Sequence, residues 1–234
     1  MTFDPRVFWG ALLSAPFALG ALTSLALALA AHSIGIALGL GLAVFAEGPA
    51  WRRWLVATYT WLFRGAPTLL QLLFVWNALP QLIPALRGTW FTPFLAALLA
   101  LSLNEAAYQA EISRAALLAV DAGQLQAAQA LGLRPTPIFF LVRLPQAIRI
   151  GLPPTVNEFI TLLKTTSLAS VISLQELLAV TSREISSTFH FTELYAAALV
   201  YYLTIVSALM LGQAWLERRM RTGQGRGQHT GRPV

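Results

Sequence analysis

The sequence predicts an all-α integral membrane protein, a single transmembrane domain over residues 1–234 that crosses the bilayer five times. Three observations predict it. Of 234 residues, 56% are hydrophobic and 11% charged, with a mean hydropathy of +0.64, too apolar for a soluble domain of this length. Between Arg6 and Glu47 there is no Asp, Glu, Lys or Arg. Finally, the cations are unevenly spread. Arg52, Arg53, Arg134, Arg143, Arg149, Arg218, Arg219, Arg221, Arg226 and Arg232 fall in segments read as inner, whereas only Arg6, Arg87 and Arg183 fall in outer ones. That asymmetry places the N-terminus outside and the C-terminus in the cytoplasm. It also accounts for the net charge of +6 without nucleic acid, because the positive residues sit at the ends of apolar runs. With no Cys, a disulfide framework and a thiolate-bound metal are excluded.

The expected spans are about 12–46, 55–79, 93–118, 156–172 and 193–216. A secretory signal would also give an early cation, an apolar stretch and small residues near Ala31. The apolar run continues through Ile34 to Phe45, however, so the reading is a tilted first span preceded by an interfacial segment. Gly35 and Gly39 form a pair of small residues four apart, read either as a place where a neighbouring helix approaches closely or as the ordinary glycine usage of membrane helices. Trp51-Arg52-Arg53-Trp54 reads as a cytoplasmic turn in an aromatic belt. The second span is interrupted at Arg64-Gly65-Ala66-Pro67, where Pro67 removes a helix hydrogen bond and Gly65 relaxes the backbone. Irregular backbone at membrane depth persists only where it is buried in protein or lines a watery cavity. Pro80, Pro84, Arg87 and Trp90 make an outer loop. Pro93 opens the third span, in which Glu111 and Arg114 are spaced to pair near the inner surface. Pro153-Pro154 opens the fourth, and the polar segment 173–192 returns outside. The fifth ends in Glu217-Arg218-Arg219-Met220-Arg221, and the Gly/Arg/Gln tail from about 222 to 234 has nothing to bury and is expected to be disordered.

Residues 121–145 form the longest interruption of the apolar pattern. Asp121 suits an N-cap, with Gln124 three residues on in a capping-box-like start. Leu125, Ala128 and Leu131 follow at helical spacing, Gly132 suits a left-handed stop and Pro135 forbids continuation. A helix of about ten residues, over about 121–132, is roughly 15 Å long and far too short to span. A small, Ala-rich, self-terminated helix on the inner face is a shape suited to another protein's groove.

Ionisable groups inside spans are costly, which makes Arg64, Glu158 and Lys164 functional candidates. Thr161 and Thr165 share a helix face with Glu158, and Lys164 sits beside that stripe. A site for an amino acid wants one cation and one anion a few ångströms apart. Arg64 offers a bidentate fork to a carboxylate, and Glu158 a partner for an ammonium or a cationic side chain. The competing reading is that Glu158 and Lys164 neutralise each other, or line a helix–helix contact.

The same residues carry a resemblance. Gln126-Ala127-Ala128, then Gly132, then Val142-Arg143-Leu144-Pro145 resemble the EAA loop of ABC importer permeases: Glu-Ala-Ala, three residues, Gly, nine residues, Ile-x-Leu-Pro. Both spacings are kept, with Gln126 in place of Glu and Val142 in place of Ile. Phe63-Arg64-Gly65-Ala66-Pro67 resembles the FRGTP segment of polar-amino-acid permeases of the histidine/glutamine/arginine branch. Ala107-Tyr108-Gln109-Ala110-Glu111-Ile112-Ser113-Arg114 resembles their AYxAEIxR. The stretch from Leu144 to Pro154, Asn157-Glu158-Phe159-Ile160 and Leu163-Lys164-Thr165-Thr166-Ser167-Leu168 resembles LPQAxRxxLPP, NEFI and LKDTSL. Thr165 stands where Asp is usual, and Glu105 lies outside the matched pattern.

The resemblance implies the type I ABC importer permease fold in the bacterial cytoplasmic (inner) membrane. It implies a coupling helix that sits in a cleft of an ATP-binding subunit, through Gln124, Gln126, Ala127, Ala128, Leu131 and Gly132. It further implies substrate contacts at Arg64, Gly65, Glu158, Thr161, Lys164, Thr165 and Ser167. The implied partners are two copies of the ATP-binding subunit, a second permease subunit (identical or paralogous), an extracytoplasmic binding protein and the amino acid itself. ATP and Mg²⁺ would sit on the ATP-binding subunit, so the chain needs no cofactor of its own and is not an enzyme.

What the sequence lacks agrees with this. There is no G-x-x-x-x-G-K-[ST] stretch for a P-loop. His32, His190 and His229 are scattered, and no Ser has a credible His and carboxylate pairing. A stand-alone secondary carrier or channel is the alternative; an unrepeated chain with five spans fits poorly with the inverted repeats of such carriers.

Overall fold

The computed structural model describes residues 3–221, and among them every regular element is helical. The tail expected to be disordered, 222–234, lies outside the described residues. Helix α1, Pro5–Leu12, is capped by Asp4, whose carboxylate accepts from the Arg6 amide. A break at Leu13 and Ser14 leads into α2, Ala15–Phe45, with Ser14 as N-cap and proline in the first turn. Its 31 residues make a rod of about 46 Å, longer than the roughly 30 Å bilayer core.

Helix α3, Ala50–Gly65, ends at the expected break, and α4, Thr68–Leu73, resumes beyond Pro67. Two residues of extended backbone at Ala66 and Pro67 separate them. A π turn over Phe74–Ala78 joins α4 to α5, Leu79–Leu82. Helix α6, Pro93–Leu118, starts on a Thr92 cap with proline in its first turn.

Helix α7, Ala122–Ala130, follows the cap on Asp121. Two departures from the sequence reading come next. Pro153-Pro154 does not open a helix. The chain is already helical from α8, Pro135–Pro137, through a π turn over Ile138–Arg143 into α9, Leu144–Thr165, with both prolines inside it. The carbonyls those prolines leave without a donor belong to Arg149 and Ile150, both exposed, where the loss is cheapest. A 3-10 stretch, Thr166–Ile172, continues the run to a left-handed Ser173. The second departure is in the segment expected to be a polar outer loop, which holds α10, Leu177–Thr188. The last helix is α11, Phe191–Arg221.

Two of the described helices, α2 and α11, are long and apolar enough to cross a membrane by length and composition alone. The centre of the molecule is the seam between α2 and α6. A Cβ on Gly39 would fall 2.5 Å from Gln109 Cβ and 2.8 Å from the Ala110 amide nitrogen, and one on Gly35 would run into the Glu105 side chain. Only glycine permits that approach. Since Gly35 meets Glu105 and Gly39 meets Gln109, the two helices run parallel and in register.

The apolar packing is divided along this seam. Leu27, Ala31, Leu72, Ala97, Leu101 and Leu162 are fully or almost fully buried where α2, α4, α6 and α9 meet. At one end α1, α10 and α11 close over Phe17, Leu177, Ile185 and Leu194. At the other, Ala43, Ala116, Leu117, Val120 and Ala147 pack with Leu125 of α7. Large apolar side chains nonetheless remain outward, including Trp54, Trp61, Leu211 and Trp215, as lipid-facing or subunit-facing surfaces require.

Candidate functional site

A polar cluster lies midway along the bundle. Glu105, halfway through α6, is 1% exposed, and its Oε1 is 2.8 Å from His32 Nδ1, near the middle of α2. Gln109, one turn on, donates to the same oxygen at 2.8 Å and accepts from Thr155 Oγ1 of α9 at 3.1 Å. The His32 ring lies 5.0 Å from that of Phe159. Glu158, half-buried one turn from Thr155 on α9, has Glu105, His32 and Arg64 as its ionisable neighbours. Three helices thus deliver two carboxylates, an imidazole and two neutral hydrogen-bonding groups to one place. Desolvated charges at such a depth need partners, and His32 with Gln109 supplies them for Glu105.

Arg64 is exposed beside this cluster, its guanidinium 5.2 Å from the centre of the Tyr108 ring, a cation–π arrangement. With Gly65, Thr60, Trp61 and Tyr108 it borders a shallow, open depression of about 360 Å³. The backbone break beneath it is held by amides. Pro67 has no N–H, so the Phe63 carbonyl loses its helical donor. Gln71 Nε2 and Asn104 Nδ2 both donate to it at 2.8 Å, and Gln71 also donates to the Ala66 carbonyl at 2.9 Å. Asn104 precedes Glu105 in α6, so the helix that carries the buried carboxylate also fixes the segment carrying Arg64.

The predicted site residues do not all meet. Arg64 and Glu158 lie within electrostatic reach of each other, with Gly65 beside Arg64. Lys164 is exposed, and no ion pair joins it to Glu158 among the described residues. The hydroxyls of Thr161, Thr165 and Ser167 donate to the carbonyls of Asn157, Thr161 and Lys164 in their own helical run. Sequence reasoning passed over His32, Gln109, Thr155, Asn104 and Gln71, and left Glu105 outside its pattern. One signal was available: His32 is the lone titratable side chain between Arg6 and Glu47.

The second region is α7 and its flanks. The Asp121 carboxylate accepts from the Gln124 amide at 3.1 Å, while the Gln124 side chain accepts from Gln146 Nε2 at 2.7 Å instead of turning back to close a capping box. The helix ends on Gly132, at φ +81°. There the Leu133 amide donates to the Ala128 carbonyl and the Gly132 amide to that of Gln129, a left-handed termination. Ala128 is the buried residue of α7; Gln126 and Ala127 are exposed, and Leu131 is 83% exposed. The face opposite Ala128 is therefore open.

Comparison with known proteins agrees with this architecture. Residues 35–222 match the family described as "Binding-protein-dependent transport system inner membrane component". The octopine transport system permease protein OccM of Rhizobium meliloti is 40% identical over 94% of this chain and 93% of its own length. The arginine transport system permease protein ArgU of Corynebacterium glutamicum is 38% identical over 89% and 69%. Among solved structures, an amino acid ABC transporter crystallised with histidines aligns with a TM-score of 0.81 and 33% identity over 94% of this chain and all of that one. The methionine ABC transporter MetNI in an inward-facing form, at 18% identity and a TM-score of 0.73 over 93% and 99%, shares the fold. The chain belongs to the family of inner-membrane components of binding-protein-dependent transport systems.

Proposed function

We propose that this permease forms half of the translocation pathway of an ATP-driven importer for polar or charged amino acids. The observation that carries the reading is the buried Glu105–His32 pair, at 2.8 Å, beside Glu158 and Arg64. Anionic and cationic groups are gathered at mid-bundle, as a zwitterionic or cationic amino acid requires. The names of the octopine, arginine and glutamine permeases it resembles support the substrate class.

In this reading Glu158 receives the ammonium or a cationic side chain, with the buried Glu105–His32 pair behind it, and Arg64 receives the carboxylate. Gly65, Thr161, Lys164, Thr165 and Ser167 line the path around them. Five spans, the N-terminus outside and the C-terminus in the cytoplasm fit the cation asymmetry and the parallel run of α2 and α6, which needs one return crossing between them. Two ATP-binding subunits, which carry ATP and Mg²⁺, grip α7 of this chain and of a second permease. An extracytoplasmic binding protein delivers the amino acid to the outer ends of the helices.

The test is uptake in vesicles holding the permease, its ATPase and its binding protein, with each of the twenty amino acids as competitor. ATP-dependent uptake blocked by a subset of polar or charged amino acids is expected. Uptake by the permease without ATP or an ATPase would instead support the stand-alone carrier.

A further inference from the structure

Arg143 joins three parts of the chain that are far apart in sequence. Its two terminal nitrogens meet the Glu47 carboxylate at 2.6 and 2.9 Å, and its Nε donates to the Leu117 carbonyl at 3.3 Å. Glu47 stands just past the end of α2, and Leu117 is in the last turn of α6. Arg143 is the last residue of the π turn that follows α7 and α8. One guanidinium therefore clamps the segment behind α7 to the ends of both helices that hold the Glu105–His32 pair.

The geometry suits arginine in particular. The fork matches a carboxylate on both oxygens, and Nε is left to serve a helix C-terminus, where positive charge is favourable. Helix α7 has few other attachments among the described residues. It buries Ala128, rests Leu125 on the Ala43–Ala147 cluster and accepts one bond from Gln146. The contacts of Ala128 and Leu125 are not directional, whereas a bidentate arginine fork fixes orientation as well as distance.

We propose that Arg143 is a positioning residue that passes a displacement of α7 to α2 and α6 together, so that the polar cluster moves when the ATPase moves. This rests on the importer reading above. Arg143 touches no substrate and acts through Glu47 and the Leu117 carbonyl.

The experiment measures amino acid taken up per ATP hydrolysed, in vesicles holding the full complex with its binding protein. Arg143→Gln and Glu47→Gln are each expected to keep subunit assembly and ATP hydrolysis while that ratio falls about two- to thirtyfold, the range of substitutions in coupling networks. Arg143→Lys is expected to lose less, and exchanging the charges (Glu47→Arg with Arg143→Glu) to restore part of the ratio. An assembled Arg143→Gln complex with an unchanged ratio overturns the proposal. So does a fall in uptake matched by equal losses of complex and ATP hydrolysis, which marks a merely structural bond. Should Arg143→Gln fail to assemble, Glu47→Gln, which leaves the Leu117 bond in place, decides between the same outcomes. Failure of the unsubstituted permease to retain any ATPase is a different result: it removes the importer reading, and the proposal with it.

Discussion

Asn104 donates from Nδ2 to the main-chain carbonyl of Phe63 at 2.8 Å, across the gap between α6 and the broken end of α3. It also donates to Gln71 Oε1 at 3.2 Å, so two amides share the work of saturating a carbonyl that Pro67 has orphaned. Replacing Asn104 with Leu leaves Gln71 as the remaining donor and unlinks the Arg64 segment from the Glu105 helix. A typical hydrogen bond contributes about 0.5–1.5 kcal/mol net. The Asn104→Leu permease is expected to unfold at lower temperature in detergent and to show a raised KM for uptake, since Arg64 is no longer held at a fixed distance from the carboxylates. An unchanged KM would detach the amide relay from the site.

The glycine seam makes a stronger demand. A methyl group at Gly39 has no free volume, because Gln109 Cβ and the Ala110 backbone occupy it. Backbone does not yield as a flexible side chain does, so α2 must move away from α6. Overpacking of this kind costs about 1–3 kcal/mol, and here it also stretches the His32–Glu105 contact, about two turns away along α2. Gly39→Ala is expected to lower both the unfolding temperature and uptake, whereas Gly41→Ala, with open space around it, changes neither. Equal behaviour of the two variants would show that the seam is looser than its geometry.

Glu158 and Glu105 are expected to differ. Glu158 is half-buried and makes no ion pair among the described residues, so Glu158→Gln removes a charge without breaking a bond. That variant should assemble, support ATP binding by the partner subunit and lose uptake. Glu105→Gln weakens the contact with His32 and places two amides, its own and that of Gln109, against one another. A buried polar group left without its hydrogen-bond partner costs about 1–3 kcal/mol, so this variant should lose unfolding temperature as well as uptake. Transport by Glu158→Gln at the unsubstituted rate would take that carboxylate off the pathway.

How much of this was readable beforehand follows from what kind of interaction each feature depends on. The start of α6 at Pro93, the cap on Asp121 and the stop at Gly132 are local: a missing N–H, a side-chain acceptor and a left-handed φ are decided within a few residues. The break at Pro67 is local too, but its repair depends on Asn104, 41 positions from the Phe63 carbonyl it serves, and no periodicity announces it. Pro153-Pro154 misled because two prolines are a strong start signal only if the preceding chain is not helical already. Here the run begins at Pro135, and the exposed side of α9 absorbs the missing bonds. Helix α10 was hidden because Glu176 caps it: the carboxylate accepts from the Leu178 and Ala179 amides and also from Ser24 and Tyr202, on α2 and α11. Polar residues that looked solvent-bound are partly consumed in holding the bundle's end. The site divided the same way. Arg64 and Glu158 stood out as charges in apolar runs, whereas the pairing of His32 with Glu105 needed the register of two helices 73 residues apart.

Leu131 tests the surface on which the importer reading depends. It is 83% exposed at the C-terminal end of α7, next to the exposed Leu133, and packing within this chain gives no reason for a large apolar residue there. A docked partner gives one: burying a leucine side chain contributes about 1.5–3 kcal/mol. Leu131→Asp removes that contribution and puts a charge in place of the apolar side chain, while the Ala128 contact and the Gly132 stop that shape α7 are untouched. The variant is expected to keep its unfolding temperature in isolation and to lose about tenfold or more in ATPase affinity, since 1.4 kcal/mol is a factor of ten. Co-purification from detergent reads this directly, with Leu141→Asp, 71% exposed outside α7, as the comparison. Retention of the ATPase by Leu131→Asp at the level of the unsubstituted chain would mean that the open face of α7 is not where the partner binds.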